Sequence, residues 1–265
     1  MNVFVFDIET VPDVETGRHL YGHPDEMAEL DPKAVERVML YERNRKLERP
    51  VEMVKLHLQK IVAISGVFRF NGHFKGEKKD TLDVFSLGNA QSSEQDLVRQ
   101  FFGAINKYAS AQPNLTLVSW NGGGFDLPVL NYRALKYAVN ANHYWKVNYA
   151  YRYGAHHVDL MDKLANYQPS AFASLNEIAS MLGFPGKMGM SGDKVWDTYL
   201  EGGIQKIRDY CETDVLNTFL VYLRFEIMRG HIAPEIYEQE CAKVRGLLGQ
   251  SDKPHLKAFL EAWTD

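Results

Sequence analysis

Val3-Phe4-Val5-Phe6-Asp7-Ile8-Glu9-Thr10 is the stretch on which the fold turns. Four apolar residues in a row, then acid and apolar side chains in alternation, read as a buried strand over residues 2–8. Side chains alternate across a strand, so Asp7 and Glu9 point to the same side of its end. Two carboxylates at about 4 Å repel by about 1 kcal/mol in water, and by about 4 kcal/mol at an effective dielectric of 20. Either they splay into solvent as ordinary strand-end acids, or a cation bridges them.

Further along, residues 60–70 read as a second strand. The turn dipeptide Asn71-Gly72 leads to a third near 81–87, a hairpin pattern. Ser92 and Ser93 can each cap a helix, with Gln95 three residues after Ser92, and Leu97, Phe101, Ile105 and Tyr108 fall on one helical stripe. Residues 115–120 form a fourth strand, Asn121-Gly122-Gly123-Gly124 a tight loop, and a helix follows from about 126. A short fifth strand is expected at 155–160 and a capping box at Ser174–Glu177. A small helix near 194–200 and a long one over about 204–229 complete the pattern. This order predicts an α/β fold, a central mixed five-stranded sheet flanked by helices, in the ribonuclease H-like arrangement. We expect a single domain over 1–265. It carries a charged helical insertion at about 11–59 and a peripheral helical C-terminus at about 231–265.

Two further segments carry acids. Asp126 follows the glycine run, and its local sequence is equally that of a helix-capping aspartate. In the long helix, Ile207, Cys211, Val215, Thr218 and Tyr222 mark the inward stripe. Asp214 falls between Cys211 and Thr218, one turn after Tyr210. A carboxylate that faces a core needs a partner or a metal. Asp7, Glu9, Asp126 and Asp214 together suit two divalent ions clamping a phosphodiester, with Mg²⁺ or Mn²⁺ as the hard cations that take carboxylate oxygens.

These residues resemble a known family. Phe6-Asp7-Ile8-Glu9-Thr10 is similar to the first motif of the DEDD (DnaQ-like) exonucleases. Asn121-Gly122-Gly123-Gly124-Phe125-Asp126 is similar to the second, and Tyr210-Cys211-Glu212-Thr213-Asp214 to the third in its tyrosine form. The histidine form would place a histidine where Asp209 stands. Within the superfamily the likeness is nearest to the proofreading exonuclease domain of family B DNA polymerases, over roughly residues 1–230. The resemblance implies a 3′–5′ exonuclease that releases nucleoside monophosphates from single-stranded nucleic acid, DNA above RNA. Asp7, Glu9 and Asp214 would hold the ion that activates water. Asp7 would also touch the second ion, Asp126 would act partly through water, and Tyr210 would position the attacking water. Asn121, Phe125 and the backbone of Ile8 to Thr10 would hold the terminal nucleotide. An RNA-trimming enzyme of the same chemistry and a non-catalytic nucleic-acid-binding module on the same fold stay open as alternatives.

Composition is compatible with this. The chain has 265 residues, 45% hydrophobic and 24% charged, with a net charge of −4. A protein that coats nucleic acid is usually basic, but acids gathered at a cation site would account for part of the deficit. Two cysteines are too few for a disulfide framework. No run approaches the roughly 20 apolar residues of a membrane span. The chain enters its first strand without a leader pattern, so a cytoplasmic monomer is expected, acting alone or with a repair or replication partner. Residues 33–60 carry eight basic and four acidic side chains, among them Arg43, Arg45, Lys46 and Arg49. A solvated face of alternating charge is favoured over an arm for a phosphate backbone. His156, His157, Asp159 and Asp162 are expected to be structural, the two aspartates as helix caps.

Overall fold

The computed structural model describes residues 1–74, 76–111 and 115–264. Strand β1 (Asn2–Pro12) runs beyond its expected end and lies at the centre of a five-stranded sheet of order β3-β2-β1-β4-β5. It pairs antiparallel with β2 (Gln59–Phe74), which pairs antiparallel with β3 (Glu77–Ser86). On its other side it pairs parallel with β4 (Thr116–Ser119), which pairs parallel with β5 (His157–Asp159). The sheet is mixed, five-stranded and flanked by helices, as the sequence pattern predicted.

The hairpin turn does not fall at Asn71-Gly72. Both residues stay in the ladder, opposite Asp80 and Lys79. The positive φ of 86° that closes the hairpin is supplied by Gly76. The antiparallel pairing simply continues past the dipeptide to Phe74 opposite Glu77, through the exposed, charged start of β3.

Around the sheet lie α1 (Val14–Leu20), α2 (Pro24–Glu29), α3 (Pro32–Asn44), α4 (Glu94–Ala111), α5 (Asp126–Lys136) and α6 (Asn142–Val147). They are followed by α7 (Leu160–Leu164), α8 (Leu175–Met181), α9 (Val195–Leu200), α10 (Ile204–Met228), α11 (Pro234–Gln250) and α12 (Pro254–Ala262). The period of 2 along β1 divides the core. Phe4, Phe6 and Ile8 pack towards α4 and α5, with Phe101, Phe102, Leu127 and Leu130. Val3 and Val5 pack towards α10, with Val215, Leu216 and Phe219. Ser93, not Ser92, caps α4: its hydroxyl accepts from Asp96 N at 3.2 Å, while Ser92 Oγ accepts from Asn89 N. The capping box at Ser174 and Glu177 is complete.

Two segments differ from a purely sequence-based picture. The charged stretch before β2 forms α1–α3 with a small core of its own, Met27, Val35, Met39, Val54 and Leu58. Asp13 and Asp31 cap α1 and α3. Residues 231–264 do more than border the fold. Tyr237, Val244, Leu248, Phe259 and Trp263 enter the same core as α10, and Glu240 of α11 accepts from the fully buried Arg69 of β2 at 2.6 Å. Charge at 240 and at 69 is widely separated in sequence, so no local pattern marks the pair.

Candidate active site

β1 presents Asp7 and Glu9 on the face that meets α10. At Glu9/Thr10 the β1–β2 register shifts by a bulge. A bulge twists the strand and re-aims the side chains beside it. Beside the bulge, Glu94 Oε1 accepts from Ile61 N at 2.6 Å. From α10, Cys211 meets β1 directly, its Sγ 3.5 Å from both the backbone oxygen and Oδ2 of Asp7. One ligand-capable atom from each of Asp7, Glu9 and Cys211 lies within 4.8 Å of the others. Burial and the adjacent acids push the Cys211 thiol up, so it stays protonated and donates to Asp7.

Asp126 arrives from the other direction. β4 ends at Ser119, so β1 loses its parallel partner after Val5. The N–H of Ile8 then points at no strand, and Asp126 Oδ1 accepts it at 3.1 Å. Phe125, not Asp126, occupies the cap position of α5. Asp126 is the first helical residue and is 3% exposed. Its carboxylate reaches across to β1 rather than closing its own helix.

The electrostatics are those of uncompensated like charges. Burial, then the charges of Asp126 and Asp214, hold Asp7 well above the usual carboxylate range. Glu9 is raised by burial and by Asp7, Asp214 and Asp126 in turn. Burial pushes Asp126 up to about 7 and Asp214 up to about 6. Tyr210 is raised by burial first, then by Asp214, Glu9 and Asp7, and it hydrogen-bonds Asp214. It is a protonated phenol across the whole working pH range. The four acids and the tyrosine named from the sequence therefore act on one another, from three separate elements.

The proposed substrate contacts are spread differently. The backbone of Ile8 is engaged by Asp126, and its side chain is in the core. Thr10 donates to Gln59 Oε1 at 2.9 Å. Phe125 packs partly against the core. Asn121 sits at φ 61°, and its carbonyl accepts from both Gly124 N and Phe125 N. The left-handed residue of the loop is thus Asn121. The glycines serve close approach instead. A Cβ at Gly122 would lie 2.2 Å from Ser119 Oγ, and one at Gly124 2.6 Å from Asn121 Oδ1.

Two residues near the site carry no signal in the sequence. Lys187 is exposed, and its charge lowers both Glu9 and Asp214. Its loop is clipped to α10 by the fully buried Asn217, which accepts from Gly186 N at 3.1 Å and donates to Gly186 O at 2.9 Å. Asp159 caps α7, as its position suggested, but it also accepts from Asn121 N at 2.9 Å and Gly123 N at 2.8 Å. It therefore fixes the glycine loop. His157 is buried against Ser119 at 2.7 Å, and burial pulls it down to about 4, a neutral structural imidazole. Of the basic stretch, Arg43 donates to Met53 O and to Val54 O, while Lys33 pairs with Asp197 at 2.7 Å.

A search of the curated proteins finds no match. Among matching solved structures is the family B DNA polymerase from the hyperthermophilic archaeon Pyrobaculum calidifontis, with 16% identity and a TM-score of 0.47. The match covers 83% of this chain and 24% of the polymerase, so the chain spans about a quarter of that protein's length. A likeness that loose carries no functional reading. A family model does match residues 51–263, most of the chain, although β1 with Asp7 and Glu9 lies before the matched range. No helix among the described residues is long and apolar enough to cross a membrane. The chain belongs to the family described as predicted 3′–5′ exonucleases related to the exonuclease domain of PolB.

Proposed function

We propose that this chain is a divalent-metal-dependent exonuclease that removes nucleoside monophosphates from the 3′ end of a single strand, DNA in preference to RNA. One observation carries the reading: carboxylates from three elements converge beside a tyrosine, where burial raises all four and the charges of Asp126 and Asp214 raise Asp7 and Glu9 further. Buried acids without a matching cation cost stability unless a cation is supplied. The donor set is oxygen-rich and its one sulfur is a protonated thiol, which suits hard ions such as Mg²⁺ or Mn²⁺.

Asp7, Glu9 and Asp214 would hold one ion, and Asp7 with Asp126 a second. When bound, such a pair supplies an acidic water and offsets charge on the leaving oxygen. The remaining work belongs to the chain. The hydrogen bond from Ile8 N fixes the orientation of Asp126. Tyr210, held protonated, orients a water through its hydroxyl and does not act as a base. Lys187 offsets charge at the edge of Glu9 and Asp214. Asn121 and the backbone of Ile8 to Thr10 would seat the terminal nucleotide, with Phe125 beside its base.

The test compares strands labelled at the 3′ or the 5′ end, with Mg²⁺, Mn²⁺ or EDTA, on single-stranded DNA, duplex DNA ends and RNA. Mononucleotide release from the 3′ end is expected only with metal and fastest on single-stranded DNA. Replacing Asp7 with alanine should lower it by at least about a hundredfold. Release that survives Asp7→Ala would falsify the assignment. Strand binding with neither metal dependence nor turnover would mark a binding module.

A further inference from the structure

We infer that Tyr151, Arg152, Tyr153, Lys163 and Tyr167 form a stacking platform for the single strand behind its reactive end, an inference that rests on the exonuclease reading above. The platform lies where β5 and α7 meet the glycine loop of the site. Tyr151 and Tyr153 are 54% and 59% exposed. Their ring centroids are 6.0 Å apart, and Tyr153 is 4.7 Å from Tyr167. Arg152 and Lys163 both stand over the Tyr167 ring, at 5.8 and 5.2 Å. Three aromatic rings interleaved with two cations match what an unpaired strand offers, base faces and phosphates in turn.

The cluster is built, not incidental. Asn166 and Tyr167 are consecutive residues other than glycine at φ 50° and 61°. That conformation is uncommon for a bulky side chain and persists only where the surroundings enforce it. Tyr167 N donates to Asp162 O at 2.8 Å, and Arg152 makes two 2.6 Å hydrogen bonds to the Asp162 carboxylate. The same segment is tied to the site. A Cβ at Gly123 would stand 3.1 Å from Asp159 Oδ2 and 3.9 Å from Asp162 Oδ2. Contact therefore runs unbroken from the loop that begins at Asn121, through Asp159 and Asp162, to Arg152 and Tyr167. A strand whose end lies at Asn121 and Phe125 has this surface next to it. Tyrosines suit such a wet surface, since each offers a π-face and a hydrated hydroxyl.

The test uses the full chain with Tyr151→Ala and Tyr153→Ala together, and the matching double phenylalanine variant. Anisotropy of a fluorescein-labelled twelve-nucleotide oligothymidylate in Ca²⁺ reads binding, and the KM for its hydrolysis in Mg²⁺ reads use. The alanine variant should bind at least about fivefold more weakly per ring removed, and the phenylalanine variant should hold at least half the affinity. The loss should be smaller on a trinucleotide, which lacks the chain length to reach the platform. Equal affinity and KM for wild type and alanine variant, with hydrolysis intact, would overturn the platform and leave the exonuclease reading standing. Alanine-sensitive binding without any hydrolysis would keep the platform and remove the exonuclease. Circular dichroism of the alanine variant, whose replaced rings are exposed, checks that its fold is retained.

Discussion

Helix α5 connects two buried charged clusters of opposite character. At its start, Asp126 joins Asp7, Glu9 and Asp214; burial raises them, and the charges of Asp126 and Asp214 raise Asp7 and Glu9 further. Two turns later on the same helix, Arg133, 1% exposed, binds Asp13 at 2.7 Å and also Glu94. Lys136 adds a 2.8 Å bond to Asp13. Burial would raise Asp13, yet the hydrogen bonds from Lys136, Arg133 and Thr16 hold it below the usual range. Both clusters sit along β1 and its immediate continuation. One carries its cations within the chain; the other gathers acids, with Lys187 at its edge, and would gain from a cation brought from outside. The difference separates a structural clasp from a chemical site more sharply than burial does. Glu212 teaches the same lesson beside Asp214. It is 3% exposed and, despite burial, is held low by His255, Lys253 and Ser86.

Breaking the clasp should have the largest effect. Arg133→Ala leaves Asp13 and Glu94 buried without their common cation, at a cost of about 3–5 kcal/mol in urea unfolding. Because Glu94 also holds Ile61 N beside the bulge at Glu9, the same variant should weaken metal affinity, read by calorimetry. The clusters should next separate by pH, in EDTA. The raised acids bind more protons folded than unfolded. Their contribution is whole below about 3.8 and is lost as the pH rises through about 6 and 7, by up to about 4 kcal/mol for Asp126. Asp13 has the opposite sign: its contribution is whole above 3.8 and is lost as the pH falls below that value. Asp126→Asn should flatten the first limb and Asp13→Asn the second, measured by chemical unfolding across pH. Smaller still is the gain from metal. At a hundredfold excess over Kd, Mn²⁺ should stabilise the wild type by about 2.7 kcal/mol, and Asp7→Asn should reduce the gain. A wild type whose melting temperature ignores Mn²⁺ would erase the contrast between the clusters.

Much of the site was legible in the sequence because its signals are local. The period of 2 in Val3 to Glu9 put two acids on one side of a strand. The helical period around Cys211 turned Asp214 inward. The strand order followed from similar patterns. The bulge at Glu9, the reach of Asp126 to Ile8 N and the shift of the hairpin turn to Gly76 had no such signal. Each depends on what lies across from it. Asn71-Gly72 misled because a favourable turn dipeptide is also tolerated within a long twisted pair. Lys187 escaped notice because Asn217, 31 positions away from Gly186, decides where its loop lies.

The sequence by itself named the candidate residues: four acids and a tyrosine, in three segments ordered along the chain. Only the tertiary structure decided which acids are answered within the chain. Arg133 and Asp13 are 120 positions apart, and Arg69 and Glu240 are 171 apart. Propensity and periodicity act over a few residues, whereas the compensation of a buried charge is settled by whatever side chain the fold brings within about 4 Å.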